Sequence, residues 1–215
     1  VVLDPDVPPN LCVPGKAEVA DIVAKLTGKV ADATEPKFAH IRCRGGNGIA
    51  KMAYEYKGVH DCAAAKIIQQ GPKLCKFGCL GFGNCVRNCP FHAMTMGENG
   101  IPQVDKNLCT GCGKCASICP NHVIELLPIS AKVAVSCSSK EVGGVARKDC
   151  AAACIGCGLC MRNCSHAGGV KVVDHLAVVD ASICHDCEEA TCFAKCPTKA
   201  IAALVASAKK EEKIG

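Results

Sequence analysis

Cysteine spacing constrains this chain more than any other feature. Between Cys75 and Pro120 it reads CKFGCLGFGNCVRNCP, a short spacer, then CTGCGKCASICP. The second run sets Cys109, Cys112, Cys115 and Cys119 at C-x2-C-x2-C-x3-C, with Pro120 directly after. Bacterial two-cluster ferredoxins hold four-iron clusters with this spacing, and the fourth cysteine of each run ligates the other cluster. Similar runs recur between Cys154 and Pro197.

The rest of the composition agrees. The chain has 215 residues, 21 of them cysteine, and is 49% hydrophobic with no Trp and 3% aromatics. Without the cysteines the apolar share is roughly two-fifths, a thin core that needs staples. Disulfides are the other use for so many cysteines. An odd count, no signal peptide and C-x2-C bunching point instead to metal ligation in a reducing compartment. The formal charge of +5 does not speak for nucleic acid. A four-iron cluster with its thiolates carries about −2, so four of them turn the balance to roughly −3, and stacking aromatics are scarce. No apolar run of some 18 residues is present, so no direct membrane span is expected. The chain starts at Val1 without an initiator Met and reads as part of a longer one.

In order, residues 1–37 read as a Pro-rich extended segment followed by an amphipathic helix over 16–27. Val19, Ile22, Val23 and Leu26 form its packing stripe and Gly28 its stop. Next come the strand FAHIRC ending at Cys43, a Gly-rich loop, and a helix capped by Asp61 with Cys62 in its first turn, stopping at Gly71-Pro72. AKVAVSC, ending at Cys137, and KDCAAAC, with Cys150, repeat that pattern. The fold class is therefore α+β. Two tandem two-cluster bacterial ferredoxin-like modules are expected, each preceded by a strand–Cys–loop–Cys–helix segment. The repeats cover 38–130 (module about 72–130) and 131–204 (module about 150–204). Residues 205–215, with KKEEK, read as a solvated tail. Within the modules, short helices are expected after Cys89-Pro90 (FHAM) and Cys119-Pro120. Hairpins are expected at Glu98-Asn99-Gly100 and Asp174-His175.

Cross-assignment between runs gives four clusters. The first takes Cys75, Cys79, Cys85 and Cys119; the second Cys109, Cys112, Cys115 and Cys89. The third takes Cys154, Cys157, Cys160 and Cys196; the fourth Cys184, Cys187, Cys192 and Cys164. The first is the least regular, with gaps of three and five residues and a Gly-rich loop. Cys43, Cys62, Cys137 and Cys150 remain, two from each repeat. Two readings stand for them: a fifth cluster on a pseudo-twofold axis, or buried free thiols. Cys12 also has two readings, a buried small hydrophobe or the last ligand of a further cluster whose other cysteines lie upstream. The histidines sit at no ligand spacing; His92, His122 and His166, just after fourth cysteines, read as surface or packing residues. No nucleophile–base pair or dinucleotide fingerprint is visible, so the chain shows no catalytic site of its own.

The segments NLCVPG, IRCRGG, DCAAA, GCLGFGNC, VSCSSK and RKDC, in this order with the ferredoxin runs, resemble the B subunit family of the Rnf complex, the ion-translocating ferredoxin:NAD+ oxidoreductase of bacteria and some archaea. The resemblance spans nearly the whole chain. It implies electron transport from reduced ferredoxin, through several [4Fe-4S] clusters, to other subunits of a membrane redox complex, on the cytoplasmic side of the membrane. It also implies an upstream membrane helix and first cluster domain, of which Cys12 would be the last ligand. A soluble polyferredoxin, a wiring subunit of a hydrogenase-like enzyme and a structural zinc protein are the competing readings.

Overall fold

The computed structural model describes residues 1–2, 4, 6–32, 35–185, 187 and 190–204. The expected tail lies outside them. After a short 3-10 turn at Val13–Gly15 comes α1 (Lys16–Thr27), stopped by Gly28 in the left-handed conformation. The apolar stripe expected to pack does so only in part: Val19 and Val23 are half-buried. Ile22 is 57% and Leu26 82% exposed, and α1 buries its small face, Ala20 and Ala24, instead.

Beyond α1 the chain forms two halves, each built on two small antiparallel pairs. In the first half β1 (Lys37–Ile41) is followed by α2 (Cys62–Ile67), α3 (Asn84–Arg87), β2 (Met94–Met96), β3 (Pro102–Val104), α4 (Lys114–Ser117) and β4 (Ile124–Pro128). β1 pairs with β4, from Lys37 opposite Pro128 to Ile41 opposite Ile124, and β2 with β3. The second half runs β5 (Val133–Val135), α5 (Gly143–Asp149), α6 (Leu159–Arg162), β6 (Val170–Val173), β7 (Leu176–Val179), α7 (Ala181–Cys184), α8 (Thr191–Ala194) and β8 (Ile201–Ala203). There β5 pairs with β8 and β6 with β7. Both expected hairpins form. Asp174 and His175 take positive φ at the tip of one, and Gly100 at the tip of the other.

Sheets this small bury little. Their cores mix aliphatic side chains with thiols: Ile41, Met94, Val123 and Ile124 with Cys79, Cys85 and Cys115 in the first half, and Val133, Val170, Leu176 and Ile201 with Cys154, Cys160 and Cys184 in the second. A domain with so thin an aliphatic core leans on whatever crosslinks its cysteines.

Two expectations about helices are corrected. The prolines after Cys89 and Cys119 start turns, not helices, because His92 and His122 take positive φ (51° and 49°) and send the chain straight into β2 and β4. The short helices lie one step earlier and carry the third cysteine of each run: Cys85, Cys115, Cys160 and Cys192. The second repeat also departs from strand–Cys–loop–Cys–helix. There α5 precedes Cys150, whereas in the first repeat Cys62 opens α2.

The halves are joined through the segments between the first strand and the first run. Residues 50–53 bridge to Pro72–Leu74 on one side and to residues 149–151 on the other. The links include Lys51 N to Asp149 O (2.8 Å), Ala151 N to Ile49 O (3.1 Å), Ala53 N to Pro72 O (2.7 Å) and Leu74 N to Lys51 O (2.9 Å). Ser138 Oγ donates to Arg42 O (2.8 Å). The buried His40 lies 3.3 Å from Ser136 Oγ, and burial holds its imidazole down to a pKa of about 4, so it is neutral at pH 7.

Candidate metal centres

The three regular quartets come together as the spacing requires. Cys89 meets Cys109, Cys112 and Cys115 around one space, and Cys196 meets Cys154, Cys157 and Cys160 around another. Cys164 joins Cys184, Cys187 and Cys192. A Cβ on Gly169 would sit 3.2 Å from Sγ of both Cys164 and Cys184, so a side chain there would crowd both thiols. In each regular run a left-handed residue turns the chain into the helix that aims the third thiol inward: Gly113, Gly158 and, in the fourth run, Ala190 at φ 43°.

The other two quartets differ from the expected sets by an exchange of Cys62 and Cys75. Cys62 lines a space with Cys79, Cys85 and Cys119. Cys75 lines one with Cys43, Cys137 and Cys150, at the junction of the halves. A Cβ on Gly78 would lie 3.5 Å from Sγ of both Cys43 and Cys75, and one on Gly45 3.1 Å from that of Cys150. The cause is local. Between Cys79 and Cys85 the chain reads LGFGN, with no middle cysteine, and α2 brings Cys62 in to fill that place. Cys62 N donates to Asn84 Oδ1 (3.0 Å), and Asn84 Nδ2 donates to Asp61 Oδ2 (2.6 Å). Asp61 caps α2 by accepting from Ala63 N and Ala64 N, and the Ala64 bond first, then Asn84, holds its carboxyl below the usual range. Leu80 closes over Cys62 and Ala65, and Tyr56 packs at a tilt against Phe82, ring centroids 5.0 Å apart.

The sequence carries a mark of Cys75's place. Cys75-x3-Cys79 has the spacing of Cys150-x3-Cys154, which aligns Cys75 with Cys150 rather than with the first ligand of a run. Cys12 is exposed, against its reading as a buried hydrophobe, at the edge of a groove that Lys16, Asp21, Glu35, Lys37 and Thr110 also line.

The donor sets fit four-iron clusters. Four of the spaces are alike, with about 330–400 Å³ of atom-free volume each, mouths included. Among the described residues no three His, Cys, Asp or Glu side chains close around a single-ion position; the quartets surround volumes. Backbone N–H groups already point at sulfur: Ala39 to Cys109 (3.4 Å), Ala177 to Cys154 (3.4 Å), and Ser139 and Cys154 to Cys137 (3.4 and 3.3 Å). Such bonds favour the charged, ligating form of a thiol. Without metal, burial pushes the Cys79 and Cys85 thiols up to about 12 and those of Cys115, Cys160, Cys184 and Cys192 to about 11. They are neutral at pH 7, so loading metal must release protons.

Fold and donor sets together define an α+β iron–sulfur protein with several cluster sites. The comparisons agree. A model of the 4Fe-4S binding domain matches residues 102–125. The chain is 56% identical over 95% of its length to the B subunit of the proton-translocating ferredoxin:NAD(+) oxidoreductase complex of Clostridium ljungdahlii, covering 72% of that protein. It is 40% identical over 93% of its length to the B subunit of the ion-translocating oxidoreductase complex of Methanosarcina acetivorans, covering 75% of it. With the B subunit of the Na(+)-translocating ferredoxin:NAD(+) oxidoreductase complex of Acetobacterium woodii it shares 38% identity over 89% of its length, covering 57% of that relative. The chain belongs to the B subunit family of the Rnf ion-translocating oxidoreductase complexes and is an iron–sulfur electron-transfer subunit. Among the described residues no helix is long and apolar enough to cross a membrane.

Proposed function

We propose that the halves are tandem two-cluster ferredoxin-like modules, about 72–130 and 150–204 within repeats 38–130 and 131–204, and that the junction quartet holds a fifth four-iron cluster. The ligand sets are then Cys89, Cys109, Cys112, Cys115; Cys62, Cys79, Cys85, Cys119; Cys43, Cys75, Cys137, Cys150; Cys154, Cys157, Cys160, Cys196; and Cys164, Cys184, Cys187, Cys192. A four-iron cluster takes up and releases one electron at a time, at a potential set by charge, hydrogen bonds to sulfur and solvent exposure.

The junction quartet carries this reading, because it turns two separate pairs into one row. Cys115 of the Cys109 quartet acts on the Cys85 thiol, and Cys43 of the junction on Cys79. On the far side Cys154 N donates to Cys137 Sγ. The row runs from the Cys109 quartet through the Cys79 set, the junction and the Cys154 set to the Cys184 quartet. Cys112 and Cys157 bring two of these sites to the surface, where a partner can approach. Two of the relatives are named for ferredoxin and NAD(+); on this reading the donor is reduced ferredoxin, met on the cytoplasmic side. The acceptors are other subunits of a membrane-bound, ion-translocating complex, which carry the NAD+ chemistry and the ion movement.

Iron and sulfide quantitation tests the count: about twenty iron atoms per chain supports five clusters, and about sixteen removes the junction cluster. A brown colour bleached by dithionite, and co-purification with membrane partners, test the cluster type and the assembly.

A further inference from the structure

One buried cation near these sites has no carboxylate. Lys73 is 6% exposed and lines the junction space with Cys43, Cys75, Cys137 and Cys150. Its Nζ donates to Gly45 O (2.8 Å) and Cys79 O (2.7 Å). It is thus held between the loop after Cys43 and a ligand of the neighbouring set. Its backbone is fixed by the bridge from Lys73 to Met52. None of the ion pairs Arg42–Glu125, Lys57–Glu55 and Lys140–Asp174 involves Lys73. The two arginines beside the junction differ from it: Arg42 faces Glu125, and Arg44 is exposed, bonded to Lys199 O. The matching position of the second half, Lys148, two residues before Cys150, is also exposed. Among the described residues, charged groups lining the other spaces of this kind are fewer: Lys114 at the Cys109 quartet, and none at the Cys79 and Cys154 sets.

A buried ammonium without a counter-charge is costly, and two carbonyl dipoles do not neutralise it. The anion that answers it is the thiolate-bound cluster, whose negative charge grows by one on reduction. We propose that Lys73 is the fixed counter-charge of the junction site. By favouring the reduced form there, it makes the junction the most easily reduced centre of the row, with a lesser pull on the Cys79 set. An electron entering from either end then collects at the junction between the halves. This rests on the five-cluster reading above.

The test is an EPR-monitored redox titration of the full chain, with iron counted on the same samples. In Lys73→Met the junction centre's reduction constant falls at least about tenfold, 59 mV for a one-electron couple, the Cys79 centre moves less, and the others stay in place. Lys73→Arg keeps the wild-type order. About twenty irons with every midpoint unchanged in Lys73→Met overturns the role of Lys73 and leaves the cluster count standing. About sixteen irons in the wild type overturns the count itself. Should Lys73→Met fail to load, Cys137→Ala asks the same of the order. Loss of the first signal to appear on reduction supports the proposal, and loss of a late one overturns it.

Discussion

The two halves share one topology and reach it with different chemistry. In the second half the Cys154 quartet is drawn from one unbroken C-x2-C-x2-C loop plus Cys196. In the first, the equivalent set lacks a middle cysteine and takes Cys62 from a helix well upstream, held by the Asp61–Asn84 pair. The regular loop needs only local geometry. The irregular one needs a capped helix, a side-chain amide and an aromatic lid to hold a distant thiol. Doing without a middle run cysteine thus takes a larger structured insert, while Cys75, like Cys150 in the second half, is separated from its run by three residues and lines the junction.

The strongest way to break this comparison is by cysteine. Cys62→Ala is expected to remove the Cys79-set centre and Cys75→Ala the junction centre, each costing about four irons and a distinct EPR signal. If Cys75→Ala instead abolishes the signal that depends on Cys119, the exchange is wrong. Asn84→Ala comes next. It leaves the Cys62 amide and the Asp61 carboxylate without this partner and should cost about 1–2 kcal/mol in urea denaturation, with slower loading of that one centre. The second half has Leu159 where Asn84 stands; there Asn163→Ala, at the place of Asn88, loses the Nδ2 bond to Leu159 O and should cost less.

Two smaller effects separate the halves further. Ala190 holds a left-handed position that glycine holds in the other three runs, so Ala190→Gly should stabilise the second half by about 0.5–1 kcal/mol, read as a higher denaturation midpoint. The same change is impossible in the first half, where Gly83 and Gly113 are already in place. Glu125 faces Arg42 at 3.7 Å in the first half only. Burial raises its carboxyl above the usual range, with Arg42 opposing. A raised carboxyl contributes stability below its unfolded value that is lost as pH rises through its folded one. Glu125→Gln should therefore flatten the stability profile across the acid side and change the midpoint at pH 7 by no more than about 0.5 kcal/mol, since the pair is partly exposed and screened. Urea midpoints at two pH values check this.

What can be read from the sequence depends on range. The runs at Cys109, Cys154 and Cys184, both hairpins and the α2 cap rest on residues within a few positions of one another, and spacing reads them well. The Cys62–Cys75 exchange is hidden because it depends on where a long insert places its thiols, although the matching x3 spacings of Cys75 and Cys150 carry the clue. The helices expected after Pro90 and Pro120 do not form because a proline that suits a helix start equally suits a turn. Two histidines in left-handed conformations decide for the turn. Periodicity alone makes the α1 stripe a packing face, yet the contact surface there suits alanines.

The junction quartet also imposes an order of assembly. A chain made from its N-terminus completes the Cys109 and Cys79 sets with residues no later than Cys119, so the first half can take up its metal while the rest is still being synthesised. On the proposed ligand sets Cys43 and Cys75 then wait until Cys137 and Cys150 have emerged. The Cys184 and Cys154 sets close later still, with Cys192 and Cys196, so the junction is complete after the first half and before the second. A chain stalled short of Cys192 would therefore carry a first half and a junction with full sets of thiols, and a second half without them.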